Sequence, residues 1–276
     1  MALQILRVPG RKGVQWVREG WRLFFRQPLG LSLLFFFCLL FSLFVSSLPG
    51  LGRFALPLTM PLWFVVFMEA SVRVERGEFP WVHTLIAPIK ATRGAWRRML
   101  GLSVIGLALY LGCAWLGSFM DDGLLFDLIT TGKVQGKAFS EDVMKMPGFL
   151  DALSLMSLLH TVALVALWYA PALVCWHGHS TVKAVFASLW ALKRNWRALG
   201  LYVLVWNAVF FILMFFGSKL LVMLFGATAV AIALLMPSVL ILLTAMLCSL
   251  YPSYRDMFVN NPAGDVPATG DSNVAQ

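Results

Sequence analysis

The sequence predicts an all-α, polytopic membrane protein: six transmembrane helices in three hairpins, with basic amphipathic interfacial helices leading into them. Three observations carry that expectation. Of the 276 residues, 60% are hydrophobic and only 13% charged, against about 25% charged in a soluble domain. Uncharged runs recur that are long enough to cross a bilayer core of about 30 Å, which takes roughly 20 helical residues. Lys and Arg border those runs and do not gather on one solvated face, so the net charge of +9 points to a membrane surface and away from nucleic acid.

Residues 1–27 form the first basic segment, expected on the cytoplasmic side. Val14, Val17, Trp21, Phe24 and Phe25 make an apolar stripe opposite Gln15, Arg18, Arg22 and Arg26, the pattern of a helix lying flat at the interface. Pro28 suits the start of a new helix. The apolar run that follows exceeds the roughly 7–15 residues of a cleaved signal core, so a retained helix is expected.

Six spans fit within a transmembrane domain of residues 28–254, near 29–47, 54–72, 99–120, 152–176, 198–218 and 230–250. Leu48-Pro49-Gly50 supplies a turn between the first two. Pro88 should break any helix in the 73–98 stretch. The third span carries Gly101, Gly106, Gly112, Ala114 and Gly117, small residues that let helices approach in lipid. An acidic outward loop, 121–150, precedes the fourth span. Lys219 should end the fifth, and a bend at Gly226–Thr228 should open the sixth. There Ala227, Ala229, Ala231 and Ala233 provide small-residue spacing. Residues 255–276 read as a disordered cytoplasmic tail.

Orientation follows from the basic residues. With six spans, one side holds 17 Lys and Arg and the other 5. The positive-inside rule therefore expects both termini in the cytoplasm of a bacterial inner membrane.

The basic segments resemble one another. Val82, Ala87, Ala91, Trp96 and Arg97 match Val182, Ala187, Ala191, Trp196 and Arg197 without a gap, and Trp21-Arg22 is a weaker third copy. These Trp-Arg pairs are the lipid and interface candidates. Indole favours the headgroup level, and each cation beside an anionic leaflet adds roughly 1 kcal/mol. They either bind anionic phospholipid or only anchor the helices.

Four intramembrane features could carry transport. Glu69 could mark an ion path or pair with Arg73 one turn on. His160 could relay a proton or make one interhelical hydrogen bond. Asn207 reads as packing glue. Pro171 interrupts its helix, which suits a substrate site or tight packing. Cys175, His177 and His179 offer thiolate and imidazole to zinc or copper but lack an evident fourth ligand. No metal or other cofactor is therefore expected. All four cysteines fall within or at the ends of apolar runs and read as small buried hydrophobes. GxSxG, Walker A and HExxH are absent, so no enzyme is expected.

The stretches VPGRKGVQWVREGWRLFFRQPLG, WYAPALV, AVFASLWALKRNWRALGLY and YPSYRDMF resemble an uncharacterised family of proteobacterial multi-pass inner-membrane proteins. ASLWALKRNWRALGLY is also similar, locally, to the membrane domain attached to some glycerophosphodiester phosphodiesterases, whose catalytic domain this chain lacks. The first resemblance implies a bacterial inner membrane and transfers no functional residue. Three function classes remain: an accessory protein contacting anionic lipid or a membrane partner, a small transporter using helices two and four, and a sensor with the acidic loop as input.

Overall fold

The computed structural model describes residues 2–50, 52–134, 137–138, 141–226 and 229–261. Strand β1 (Ala2–Ile5) precedes α1 (Lys12–Arg26) and α2 (Pro28–Ser46). A turn leads to α3 (Ala55–Glu75), then a 3-10 turn (Val82–Leu85), α4 (Ala87–Ala91) and α5 (Ala95–Gly117). The loop beyond holds α6 (Leu124–Thr131), β2 (Lys133–Val134), β3 (Lys137–Ala138) and α7 (Glu141–Met144). Next come α8 (Phe149–Leu167), α9 (Ala170–His177), α10 (Thr181–Arg194) and α11 (Trp196–Phe211). A π-helical segment (Ile212–Gly217) joins α11 to α12 (Ser218–Phe225), and α13 (Ala229–Cys248), α14 (Leu250–Met257) and β4 (Phe258–Asn261) close the chain.

The fold is all-α and polytopic. Among the described residues six spans are long and apolar enough to cross a membrane: Pro28–Ser46, Gly52–Glu75, Ala95–Gly117, Phe149–His177, Trp196–Phe225 and Ala233–Met257. The second is the axle of the bundle. Val65, Val66, Phe67 and Met68 of α3 are all fully buried, as a helix that is apolar on every side requires. Pro61 inside α3 cannot donate to the Pro57 carbonyl, and Ser103 of α5 bonds to the neighbouring Leu58 carbonyl at 2.7 Å.

Several expectations need correction. Helix α1 turns most of its apolar stripe to the bundle. It packs against α11, α13 and α14, and its buried face carries Trp16, Val17, Leu23 and Phe24, leaving Val14 and Phe25 exposed. Its close approach depends on glycine. A Cβ on Gly13 would strike the Ala198 carbonyl and the Tyr202 nitrogen, and one on Gly20 would strike Ser249 and the Ala245 carbonyl.

The three basic copies do not share one conformation. The first is a continuous helix, the second a 3-10 turn and a five-residue helix with Pro88 in its first turn, and the third the 14-residue α10. Only the Trp-Arg ends of the second and third agree, each opening a span.

The fifth span does not end at Lys219 but runs on to Phe225, where Gly226 stops it at φ +71°. The rest of the expected bend, 227–228, lies outside the described residues, as do the side chains of Ala227, Ala229 and Ala231. The expected tail starts later than 255: Arg255–Met257 belong to α14, and Phe258–Asn261 pair antiparallel with Ala2–Ile5. Residues 262–276 lie outside the description.

The segment 121–150 has a small core, in which Leu125, Val134, Val143 and Phe149 pack with Cys113 and Ala152 of the adjoining spans. Buried Asp121 starts α6, accepting from the Gly123 and Leu125 N–H groups at 3.1 and 2.7 Å.

Candidate functional site

The basic end of the bundle is assembled from α1, the 82–91 segment, α10 and α14. Trp96 and Trp196 each stand in the first turn of a span. The Arg97 guanidinium lies 5.2 Å from the Trp96 ring and that of Arg197 lies 5.4 Å from the Trp196 ring, within reach of a cation–π contact. All four side chains are exposed, so each pair offers a charge and an aromatic face outward. Lys193 sits similarly over Trp190, at 5.8 Å. The first copy differs: Trp21 stacks on Phe25 and packs beside Trp206, at 5.7 and 6.1 Å, while Arg22 is exposed.

Helix α10 shows why. Its buried face is Ala184, Ser188 and Ala191, small enough to lie close to the bundle. Its large residues face the other way, with Val182 61% and Phe186 68% exposed. An apolar face turned outward beside Lys193 and Arg194 suits a helix seated at the headgroup boundary.

Glu69 takes the local pairing. Its carboxylate lies 3.3 Å from Arg73 and accepts from the Trp176 indole at 3.1 Å, while Arg73 also reaches His83 at 2.9 Å. His160 packs edge-on to Tyr110, with ring centroids 5.2 Å apart. It shares with Pro171 an apolar cavity of about 20 Å³, room for about one water. Glu69 does not line it. Pro171 starts α9 after the break between Leu167 and Ala170.

Asn207 is not packing glue. It is exposed and donates to the Val203 carbonyl of its own helix at 2.8 Å.

Cys175, His177 and His179 do not converge on a metal. Among the described residues no group of three donors could hold one. Cys175 is buried, and His177 bonds to the Tyr254 hydroxyl at 2.7 Å. Burial, aided by Lys183, pulls the His179 imidazole below its usual pKa.

The residues that sequence reasoning missed hold the two ends of the chain together. Asp256 pairs with Lys12 at 2.9 Å and accepts from the Trp16 indole at 3.1 Å. Arg255 bridges Glu19 and Glu75 at 2.8 and 2.6 Å. Tyr169 donates to Ser253 at 3.0 Å, and Tyr202 lies 2.6 Å from Ser249. Asn195 clasps the N-terminal segment, accepting from Val8 N–H and donating to the Leu6 carbonyl. The signal was present in GRKGVQWVREGW and YPSYRDMF, whose charges and aromatics recur about one turn apart, but nothing local in it names the partner.

No family model and no solved structure matches the chain. A probable inner membrane protein of Burkholderia thailandensis is 32% identical over 276 residues, covering 98% of this chain and 100% of that protein. The local likeness to the glycerophosphodiester phosphodiesterase membrane domain finds no support in these comparisons. With six apolar spans and a relative matched from end to end, the chain is a multi-pass membrane protein and belongs to the family of that Burkholderia protein.

Proposed function

We propose that this protein is a membrane-embedded accessory protein of the bacterial inner membrane. Its basic end, with both termini, faces the cytoplasm and holds anionic phospholipid, and the proposal includes no catalytic step. One observation carries it: Arg97 and Arg197 each lie over the exposed tryptophan that opens a span. An indole at the interface beside a phosphate-binding guanidinium is the chemistry a phospholipid headgroup meets. Native mass spectrometry of the protein extracted gently from its own membrane provides the test. Retained phosphatidylglycerol or cardiolipin that an Arg97→Gln/Arg197→Gln variant loses supports the proposal. Equal retention reduces these residues to anchors.

A second proposal, sensing, draws on the separate core of 121–150. Asp121→Ala should loosen that segment without altering lipid retention. A cellular response lost in this variant alone would favour sensing. Transport has less to stand on, since the cavity at His160 and Pro171 is small and apolar and Glu69 is already paired.

A further inference from the structure

The fourth and fifth spans leave an apolar groove between them. Its outer part, about 490 Å³, runs along α8 and α11 past Trp196, Gly200 and Val203. It adjoins an inner crevice of about 230 Å³ that reaches Trp168, Tyr202 and Trp206, and Thr161, Val165, Val203 and Asn207 line both. The polar members lining both, Thr161 and Asn207, each use a donor inside their own helix, on the Ser157 and Val203 carbonyls.

We propose that this groove binds one acyl chain of an anionic phospholipid whose headgroup rests at the α10–α11 corner. Three features select that occupant. Trp196 both lines the mouth and carries Arg197 over its ring, with Lys193 one turn before, so positive charge stands where a phosphate would lie. The groove walls are apolar along the length that faces hydrocarbon, and an unfilled apolar gap forfeits dispersion contacts. From Trp196 to Asn207 the helix climbs about 16 Å at 1.5 Å per residue, the depth of one leaflet of a core about 30 Å thick.

This inference extends the headgroup proposal above, and a single experiment separates their failures. Purified protein in bilayer nanodiscs is photolabelled with phosphatidylglycerol carrying a diazirine in its acyl chain, or with phosphatidylcholine carrying the same group. Gly200→Phe fills the groove, and it is tolerable because a Cβ at Gly200 meets no atom within 4 Å. The expected result is labelling concentrated on peptides 158–165 and 199–207 and lost in Gly200→Phe. A preference for phosphatidylglycerol that drops about fivefold in Arg197→Gln is expected from loss of one interfacial cation. Labelling spread evenly around the bundle, or unchanged by Gly200→Phe, overturns the groove while leaving the headgroup proposal intact. Groove labelling that is equal for both lipids and indifferent to Arg197→Gln overturns the headgroup proposal. A nanodisc population that holds dimers, with 158–165 unlabelled until Gly200→Phe makes it monomeric, would place a second copy in the groove and overturn the inference.

Discussion

At the scale of residues, neighbours in sequence behaved as their spacing implied and distant ones did not. The Glu69–Arg73 pair was legible because positions four apart share a helix face whatever surrounds them. The Asp256 contacts with Lys12 and Trp16 join opposite ends of the chain, and no periodicity encodes such a meeting. The same holds for Gly20, which reads as an ordinary helix-weakening glycine until α13 is laid across it. Gly20→Ala is expected to destabilise the protein by about 1–3 kcal/mol, the usual cost of overpacking. The check is a lower unfolding temperature in detergent, and an unchanged one would mean that α1 shifts freely.

At the scale of elements, the hydrophobic stripe of α10 was visible but its direction was not. In a soluble protein such a stripe turns inward. Here the bundle takes the small face and leaves the large one exposed, as suits a membrane protein, since hydrocarbon accepts a phenylalanine as readily as a core does. Ala191→Leu should therefore cost about 1–3 kcal/mol, while Phe186→Leu should stay within about 0.5 kcal/mol as exposed changes do. Thermal unfolding of the two variants tests the assignment, and the reverse ranking would contradict it. Asn195 makes a sharper case. It sits between α10 and α11 and ties down the segment before α1. Asn195→Ala should release that segment, which trypsin would report as faster cleavage at Arg7 and Arg11.

At the scale of the whole molecule, the first and last described segments lie side by side because β1 pairs with β4. A reporter active only in the cytoplasm should give the same answer on either terminus. Opposite answers would break the strand pair, and two negative ones would invert the proposed orientation. The four cysteines, Cys38, Cys113, Cys175 and Cys248, are all buried, so a membrane-permeant maleimide should label the folded protein slowly and the denatured protein fully. Fast labelling of any one would show that the bundle opens around it.

Membrane class, six spans and the placement of their breaks at Pro28 and Pro171 were determined by sequence alone. Hydrocarbon thickness fixes a minimum helix length, and proline removes a donor wherever it stands. These are constraints on single segments, met before any two helices touch. Tertiary structure alone decided that α1 enters the bundle, that α3 is its axle, and that the fifth span passes Lys219. It also decided that the fourth and fifth spans part to form a groove. Each depends on which surfaces fit together between segments far apart in the chain, and in lipid that choice rests on close packing and a few polar bonds. Hydrophobicity marks which residues leave water but not which neighbour they leave it for.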